Sequence, residues 1–304
     1  MISLHIQDET SRLRAVILGI ANQSGPQPTL EEAYDPQSIK HIKAGTYPTE
    51  SAMIAQMEAL QAVFQKHQVR VYRPEIIDNC NQIFARDIAF VIDDTLIKSN
   101  ILPHREKEIV AIQYLIDQIA PNKILETTPD IHFEGGDVLL WKDHIFVGTY
   151  KGDDYAEYIT ARTNEKGVAF LQAHFPDKIV KSFDLLKSNT DPKHNALHLD
   201  CCFQPVGNDK AIIHKEGFRN SEDYAYLVDL FGADNLFHIS KEEMSQMVAN
   251  VFSISENLVV SEQGFDRLNQ WLRKHGFVVE EVPYAEIGKQ GGLLRCSTLP
   301  LQRD

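Results

Sequence analysis

The chain has 304 residues, of which 43% are apolar and 24% charged, a composition typical of a globular protein. Its formal charge of −13 argues against nucleic acid or an anionic membrane as partner and is compatible with a small cationic substrate. No apolar run reaches the ~20 residues that span a bilayer, and no signal peptide is recognisable, so we expect a cytoplasmic protein. The cysteines Cys80, Cys201, Cys202 and Cys296 lack CxxC spacing and are expected to be free thiols. We predict no metal and no cofactor.

The first predicted elements form an incomplete unit. The stretch LRAVILGI reads as a strand, ESAMIAQMEALQAVFQKH as a helix and VRVYRP as a second strand. The closing segment GLLRCSTLPL is expected to pair with LRAVILGI and to supply the missing strand.

Four hairpins then follow along the chain, each with apolar strands around an Asn, Asp or Gly turn. In chain order they are FARDIAFVIDDTLIKSN, FEGGDVLLWKDHIFVGT, LHLDCCFQPVGNDKAIIHK and ANVFSISENLVVSE. Their turns are expected at Asp93-Asp94, Lys142-Asp143, Gly207-Asn208-Asp209 and Glu256-Asn257.

A helical segment and one more short strand follow each hairpin. The helical segments are EKEIVAIQYLIDQIA, DDYAEYITARTNEKGVAFLQAHF, SEDYAYLVDLFG and FDRLNQWLRKHG, the last with Gly276 as a plausible helix stop. Five ββαβ units cannot each bury a core alone. We therefore predict an α/β fold, a fivefold pseudo-symmetric propeller with strands inside and helices outside, in which residues 1–304 form one domain.

The hairpins carry reactive side chains where their first strands begin. In HFEGGDVLLW (132–141) an acid, Glu134, precedes a Gly-Gly pair and a buried strand, and Asp87 stands at the matching place in the preceding hairpin. His198 and Asp200 should share one face of a strand, because residues i and i+2 point the same way. Cys296 opens the closing strand. In a pseudo-symmetric ring, these residues should converge near the axis.

These side chains form a reaction set with a physical logic. Cys296 would be a nucleophile and His198 its acid/base, oriented by Glu134. Asp87 and Asp200 would then bind the planar fork of a guanidinium group. Carboxylates around the thiol should raise its pKa, so ionisation should depend on the bound cation. Cysteine, histidine and aspartate also suggest zinc, but metal ligands usually come in close pairs, which this chain lacks.

Taken together, four motifs resemble the pentein superfamily of guanidino-group-modifying enzymes. They are IFARD (83–87), EGGDV (134–138), HLDCCF (198–203) and GGLLRCSTLPL (291–301), and they occur in this order along the chain. The resemblance implies a fivefold ββαβ propeller and a covalent thiouronium intermediate on Cys296. It implies His198 as acid/base, Glu134 as its orienting acid, and Asp87 and Asp200 as the guanidinium clamp.

Two further residues are assigned through the resemblance alone. NQIFARD is similar to the deiminase stretch in which an asparagine, here Asn81, contacts the substrate carboxylate. ARTNEKGV (161–168) resembles the deiminase ERT element, which makes Arg162 a candidate partner of the same carboxylate.

The resemblance leaves two chemistries open. Water after the thiouronium gives hydrolysis, as in arginine deiminases and dimethylarginine dimethylaminohydrolases, and an amine gives amidino transfer. Glu134 favours a hydrolase, since amidinotransferases of this superfamily tend to have Asp there, whereas the stretch DPQS…YPTE favours a transferase. A non-catalytic pentein binding module should have lost the Cys/His pair, which this chain keeps. A homo-oligomer is compatible with the sequence, and the guanidino substrate stays open.

Overall fold

The computed structural model describes residues 2–304, and its secondary structure follows the predicted units. The strands are β1 (Leu13–Leu18), β2 (Arg70–Tyr72), β3 (Ala89–Ile92), β4 (Thr95–Lys98), β5 (Ile124–Leu125), β6 (Val138–Trp141), β7 (His144–Thr149), β8 (Ile179–Asp184), β9 (Phe203–Val206), β10 (Lys210–Ile213), β11 (Leu236–His238), β12 (Phe252–Ser255), β13 (Leu258–Glu262), β14 (Val278–Val282) and β15 (Thr298–Arg303). The α-helices are α1 (Pro36–Lys43), α2 (Glu50–Lys66), α3 (Ala85–Ile88), α4 (Gln113–Ile116), α5 (Glu165–His174), α6 (Leu199–Cys202), α7 (Ser221–Phe231), α8 (Lys241–Ser245), α9 (Asp266–Lys274) and α10 (Ala285–Gly288). Short 3₁₀ segments span Pro103–Ile112, Pro121–Lys123, Gly135–Asp137, Pro192–His194, Lys215–Gly217 and Ala233–Asn235.

These strands form five three-stranded sheets with one shared topology. In β3-β4-β5, for example, the first two strands are antiparallel and the third runs parallel to the second. The first sheet closes the ring as predicted, because β15 pairs antiparallel with β1, and β1 pairs parallel with β2. The fivefold ββαβ architecture is therefore confirmed, while the assignment of residues 1–304 to a single domain stays a prediction.

The hairpin turns lie where the sequence placed them. Asp93 and Lys142 adopt positive φ values of 52° and 53° between their strands, and Gly207 adopts 62°. Helix α9 ends at Lys274, two residues before Gly276, whose φ is 86°. Glycine adopts a positive φ without steric strain and aspartate tolerates it, which explains why Gly207 and Asp93 occur in these turns.

Two predicted helices are wrong in part. The segment from Glu106 to Ala120 is mostly a 3₁₀ helix from Pro103 to Ile112, followed by the short α4. At three residues per turn Arg105 and Glu108 lie on one face, where they form a buried ion pair. Residues 153–164 form turns, and α5 begins only after Asn164, whose side chain accepts a hydrogen bond from the backbone N–H of Gly167.

The core consists of apolar clusters between the sheets and the outer helices. Leu299 of β15, for example, is fully buried among residues of β1, β3 and the second hairpin. Among the described residues, no helix combines the length and apolar character needed to cross a bilayer.

We expect the closing strand to be essential for stability. Replacing Leu299 by Ala should lower the free energy of unfolding by about 2–5 kcal/mol, because a buried side chain is lost and a cavity remains. Leu30, which is 47% exposed, provides the matched control, and Leu30→Ala should change stability by less than about 0.5 kcal/mol. Urea unfolding curves measure both, and equal effects would contradict the ring closure through β15.

Candidate active site

The site residues were predicted to lie in strands. The structure instead places them in tight turns just before the strands. Asp87 lies in α3 and precedes β3, while Asp200 lies in α6 and precedes β9. The expectation that His198 and Asp200 share one face of a strand is therefore wrong. His198 is instead the residue that precedes α6, and the helical turn directs both side chains inward. Cys296 occupies a turn before β15.

His198 and Glu134 form a buried pair. Nε2 of His198 lies 2.7 Å from Oε2 of Glu134, and Nδ1 lies 3.8 Å from Oδ1 of Asp87. Burial opposes protonation of His198, but Asp87 and Glu134 outweigh it and raise the pKa of the imidazole. Glu134 thus holds the imidazole through Nε2 and favours its protonated form. Nδ1 is the ring nitrogen that a ligand can contact.

The Gly-Gly pair makes room for this contact. A Cβ on Gly136 would come within 2.6 Å of Nδ1 of His198, and one on Gly135 within 2.1 Å of the carbonyl oxygen of Arg86. Any side chain would therefore displace either the imidazole or the backbone beside Asp87. Asp137, the second acid of the motif, has a different role, since it accepts hydrogen bonds from Leu199 N (2.9 Å) and Thr163 Oγ1 (2.6 Å).

Arg162 pairs with Glu134. Its Nη1 lies 3.1 Å from Oε2 of Glu134, while Nε and Nη2 donate to the carbonyl oxygens of Ile159 and Tyr34. Burial opposes ionisation of Glu134, but Arg162 and His198 hold its pKa below the ordinary value. All three nitrogens of Arg162 thus have partners within the chain, and its assignment to a substrate carboxylate stays a prediction.

Asp87 is held on one side only. Oδ2 accepts a hydrogen bond of 2.7 Å from Nη1 of Arg105, whose other nitrogens bind both carboxylate oxygens of Glu108. Oδ1 of Asp87 is buried without a hydrogen-bond partner. Burial raises the pKa of Glu108 to about 6, with Arg105 opposing the shift. A buried acceptor with no donor indicates a place for a ligand.

Cys296 lies against Asp200. Its Sγ is 3.6 Å from Oδ2 of Asp200, and the same oxygen accepts a 2.8 Å hydrogen bond from Nη1 of Arg295. Arg295 in turn forms a two-pronged pair with Glu9 at 3.1 and 3.0 Å. Burial, Asp200 and Asp87 raise the pKa of the Cys296 thiol well above its usual range.

These groups meet in one small cavity of about 20 Å³. It is lined by Tyr34, Asp35, Phe84, Asp87, Arg105, Arg162, Leu197, His198, Gln290, Gly291, Gly292 and Cys296. Glu134 and Asp200 lie behind the lining residues, since Glu134 contacts His198 and Asp200 contacts Cys296. A larger cavity of about 690 Å³ shares Tyr34, Asp35, Phe84 and Gln290 with it and forms an outer chamber.

Asn81 lies apart from the reactive group. It lines the outer chamber, where its Nδ2 donates a 2.6 Å hydrogen bond to Gln290 Oε1. Because Gln290 lines both cavities, Asn81 stands beside the passage between them. Its contact with a substrate carboxylate stays a prediction.

Asp87, Glu134 and His198 are close enough to hold a metal ion, with ligand atoms within 4.8 Å of one another. Arginines already neutralise both carboxylates, however. Glu134 binds both His198 and Arg162, and Asp87 binds Arg105. A divalent cation would have to displace buried guanidinium groups, so this group fits a proton-transfer site better than a metal site.

Sequence reasoning missed the residues that hold the site together. Arg105 and Arg295 pair with the predicted acids Asp87 and Asp200, and Glu108 and Glu9 hold these arginines in turn. Nothing in the sequence pattern links each arginine to its acid. Asn250 could have been found, since it stands two residues before β12, as Asp87 stands two before β3.

The pair of Glu134 and His198 should give stability a specific pH dependence. Glu134→Gln leaves buried cations without their counter-charge and should cost about 3–5 kcal/mol of unfolding free energy. The lowered pKa of Glu134 makes its contribution present above pH 4.5 and lost as pH falls below that value. The raised pKa of His198 makes its contribution present below pH 6.5 and lost as pH rises through that pKa. The difference between wild type and variant should therefore peak between pH 4.5 and 6.5.

Urea unfolding across this pH range measures the effect. Glu126→Gln is a suitable control, because the Glu126 side chain is 68% exposed and pairs with Lys98 at the surface. A wild-type–variant difference that does not change with pH would contradict the paired, charged state of Glu134 and His198.

Comparison with known proteins agrees with this geometry. The chain is 29% identical over 271 residues to an uncharacterised protein of Bacillus subtilis, YkgA, covering 88% of this chain and 86% of that protein. It is 25% identical over 266 residues to an arginine deiminase of Limosilactobacillus reuteri, covering 74% of this chain but only 62% of that enzyme.

Solved structures share the fold. The N-terminal domain of ArgZ, a cyanobacterial arginine dihydrolase bound to product, matches with a TM-score of 0.77 at 15% identity, over 95% of this chain and 97% of that one. The inosamine-phosphate amidinotransferase StrB1 of Streptomyces griseus matches with a TM-score of 0.76 at 17% identity, over 100% and 97% of the two chains.

A family model decides the classification. The model described as N,N dimethylarginine dimethylhydrolase, eukaryotic, matches residues 32–303, which include every turn that forms the cavity. The chain therefore belongs to this family, within the pentein superfamily of guanidino-group-modifying enzymes.

Proposed function

We propose that the protein is a hydrolase that acts on the guanidino group of arginine or of a methylated or related arginine derivative, through a covalent intermediate on Cys296. One observation carries the proposal: Cys296, His198 and the unpartnered oxygen of Asp87 face the same buried cavity. A guanidinium group would supply the N–H donors that Asp87 lacks and the positive charge that a thiolate needs.

Binding would use the oxygens that the protein leaves free. Among residues 2–304, Oδ1 of Asp87 has no hydrogen-bond partner, and Oδ1 of Asp200 is hydrogen-bonded only to the thiols of Cys201 (3.7 Å) and Cys296 (3.9 Å). Arg105 and Arg295 hold the opposite oxygens of the two acids. The carboxylates are thus fixed in place before the substrate arrives, which limits the entropy lost on binding.

The first half-reaction forms the carbon–sulfur bond. The bound cation favours the thiolate, so the thiol of Cys296 releases its proton to solvent, and Sγ then attacks the guanidinium carbon. As the bond from that carbon to the departing nitrogen breaks, the His198 imidazolium gives its proton to that nitrogen. An amine leaves, and a thiouronium group stays on Cys296. Glu134 keeps Nε2 of His198 engaged, so that Nδ1 is the nitrogen that exchanges the proton.

The second half-reaction consumes water. Neutral His198 takes a proton from a water molecule, whose oxygen attacks the thiouronium carbon. The carbon–sulfur bond then breaks and returns the Cys296 thiol, while the product leaves with a ureido group. Because its pKa is raised, the Cys296 thiol keeps its proton in the empty site until a cation binds.

Amidino transfer remains the second candidate. The outer chamber of about 690 Å³ adjoins the reaction cavity and carries the carboxylates Glu32, Asp35 and Glu50. This space could hold an amine acceptor, which would replace water in the second half-reaction. Glu134, at the position where amidinotransferases tend to have Asp, favours hydrolysis.

A product assay separates the candidates. Arginine, methylated arginines and agmatine are each incubated with the protein, with and without glycine as acceptor. A hydrolase should give a ureido product without glycine, whereas a transferase should give a new guanidino product only with glycine.

Cys296→Ser should lose nearly all turnover, since a hydroxyl is a far weaker nucleophile. Cys80→Ser, outside both cavities, is the control. If Cys296→Ser kept about a tenth of the activity, the covalent mechanism would be wrong.

The acids should affect different kinetic constants. Asp87→Asn should raise KM by about 10- to 100-fold, because a charged hydrogen bond to the substrate is weakened. Glu134→Gln should mainly lower kcat, because Glu134 orients and charges His198 but does not line the cavity. Asp94→Asn, in a surface turn, is the control. Steady-state kinetics would contradict these roles if Glu134→Gln changed only KM.

A further inference from the structure

Asn250 occupies an inward position that the proposed reaction does not yet use. It lies two residues before β12, as Asp87 lies two before β3 and Cys296 two before β15. Its side chain is completely buried. A buried amide must have all its hydrogen bonds satisfied, so its partners indicate its role.

The orientation of this amide is fixed by the backbone. Oδ1 of Asn250 accepts hydrogen bonds from the backbone N–H groups of Cys296 (3.1 Å) and Leu293 (3.2 Å). The reversed amide would set N–H donors against N–H donors, so the nitrogen has to be on the other side. There, Nδ2 lies 3.2 Å from Sγ of Cys296 and 3.4 Å from the carbonyl oxygen of Asp200.

The sulfur otherwise faces groups that oppose its ionisation. Asp200 and Asp87 oppose loss of the thiol proton, and the cations that line the same cavity, His198, Arg105 and Arg162, donate no hydrogen bond to Sγ within residues 2–304. Among residues 2–304, Nδ2 of Asn250 is the only side-chain nitrogen hydrogen-bonded to Sγ, and the backbone N–H of Leu293 also favours the thiolate. A thiol can donate its proton to Asp200, but a thiolate can only accept hydrogen bonds, and Asn250 supplies one.

We propose that Asn250 is a positioning residue that fixes the turn carrying Cys296 and donates an N–H to its sulfur in the thiolate form. The inference rests on the proposed nucleophilic role of Cys296. A neutral amide suits this task, because it stabilises the thiolate without adding a charge that would ionise the empty site. Ionisation therefore still depends on the cation of the substrate.

Two variants separate the donor from the anchor. Asn250→Ala removes both the N–H that faces sulfur and the oxygen that anchors the turn. Asn250→Asp keeps an oxygen for the two backbone N–H groups, but once ionised it sets a negative oxygen against the sulfur. A donor role predicts reactivity in the order wild type, Ala, Asp. An anchor role alone predicts the opposite order for the two variants, with Ala slowest, because Asp keeps the anchoring oxygen and is slowed only by its charge.

The readout is alkylation of Cys296 by 2-chloroacetamidine, followed by mass spectrometry from pH 6 to 10. At pH 8 Asn250→Ala should react about tenfold more slowly than wild type, and Asn250→Asp more slowly still. The slower rate of Asn250→Ala should recover at higher pH, because its thiol pKa has risen. Asn269→Asp, at a buried asparagine in α9 away from the cavity, is the matched control and should react like wild type.

Each outcome has a separate meaning. Wild-type reactivity in Asn250→Asp overturns the donor role. No alkylation of Cys296 in the wild type would instead overturn the proposed function. If neither variant folds, the side-chain amide resonance of Asn250 is compared in wild-type protein before and after alkylation. That resonance should move when the sulfur becomes a poorer acceptor, and an unchanged resonance overturns the proposal.

Discussion

Pairing between buried carboxylates and buried arginines is the interaction on which the centre of this molecule depends. Glu134, Asp87 and Asp200 are paired with Arg162, Arg105 and Arg295, each from a different part of the chain. Charges buried without partners would destabilise the fold by several kcal/mol each, so the ring of sheets can close only when all pairs form. The chemistry of the cavity depends on the carboxylate oxygens that these pairs do not engage.

The arginine pairs leave some of the carboxylate oxygens without an arginine partner. Arg105 and Arg295 each take one oxygen of an acid and leave the other directed at the cavity or at a thiol. The same acids raise the pKa of the imidazole and of the thiol, and a bound cation would favour the thiolate. The arginine pairs fix the acids before a ligand binds, and under the proposed mechanism the ionisation of Cys296 is coupled to the charge of the ligand. Rigidity of this kind lowers the reorganisation needed in the reaction.

The repeat allowed much of this to be predicted. Asp87, Glu134, His198 and Cys296 all stand shortly before the first strand of a unit. The structure brings Asp87, His198 and Cys296 to one cavity, with Glu134 behind His198. The alignment predicted the wrong local backbone, because three of the turns are helical and direct side chains inward without strand alternation. It also passed over Asn250, since an amide carries no reactive chemistry of its own and becomes informative only beside a sulfur.

By itself the sequence determined the five units, the pairing of the two chain ends and the set of reactive residues, because these follow from hydrophobic period, turn residues and order along the chain. Only the tertiary structure decided the partners. Arg162, predicted to meet a substrate carboxylate, also pairs with Glu134, and Glu9 reaches Arg295 from a distant part of the chain. The physical reason is that a sequence shows which charges exist, whereas which of them meet depends on how each sheet is packed against its neighbours and on the need to neutralise every buried charge.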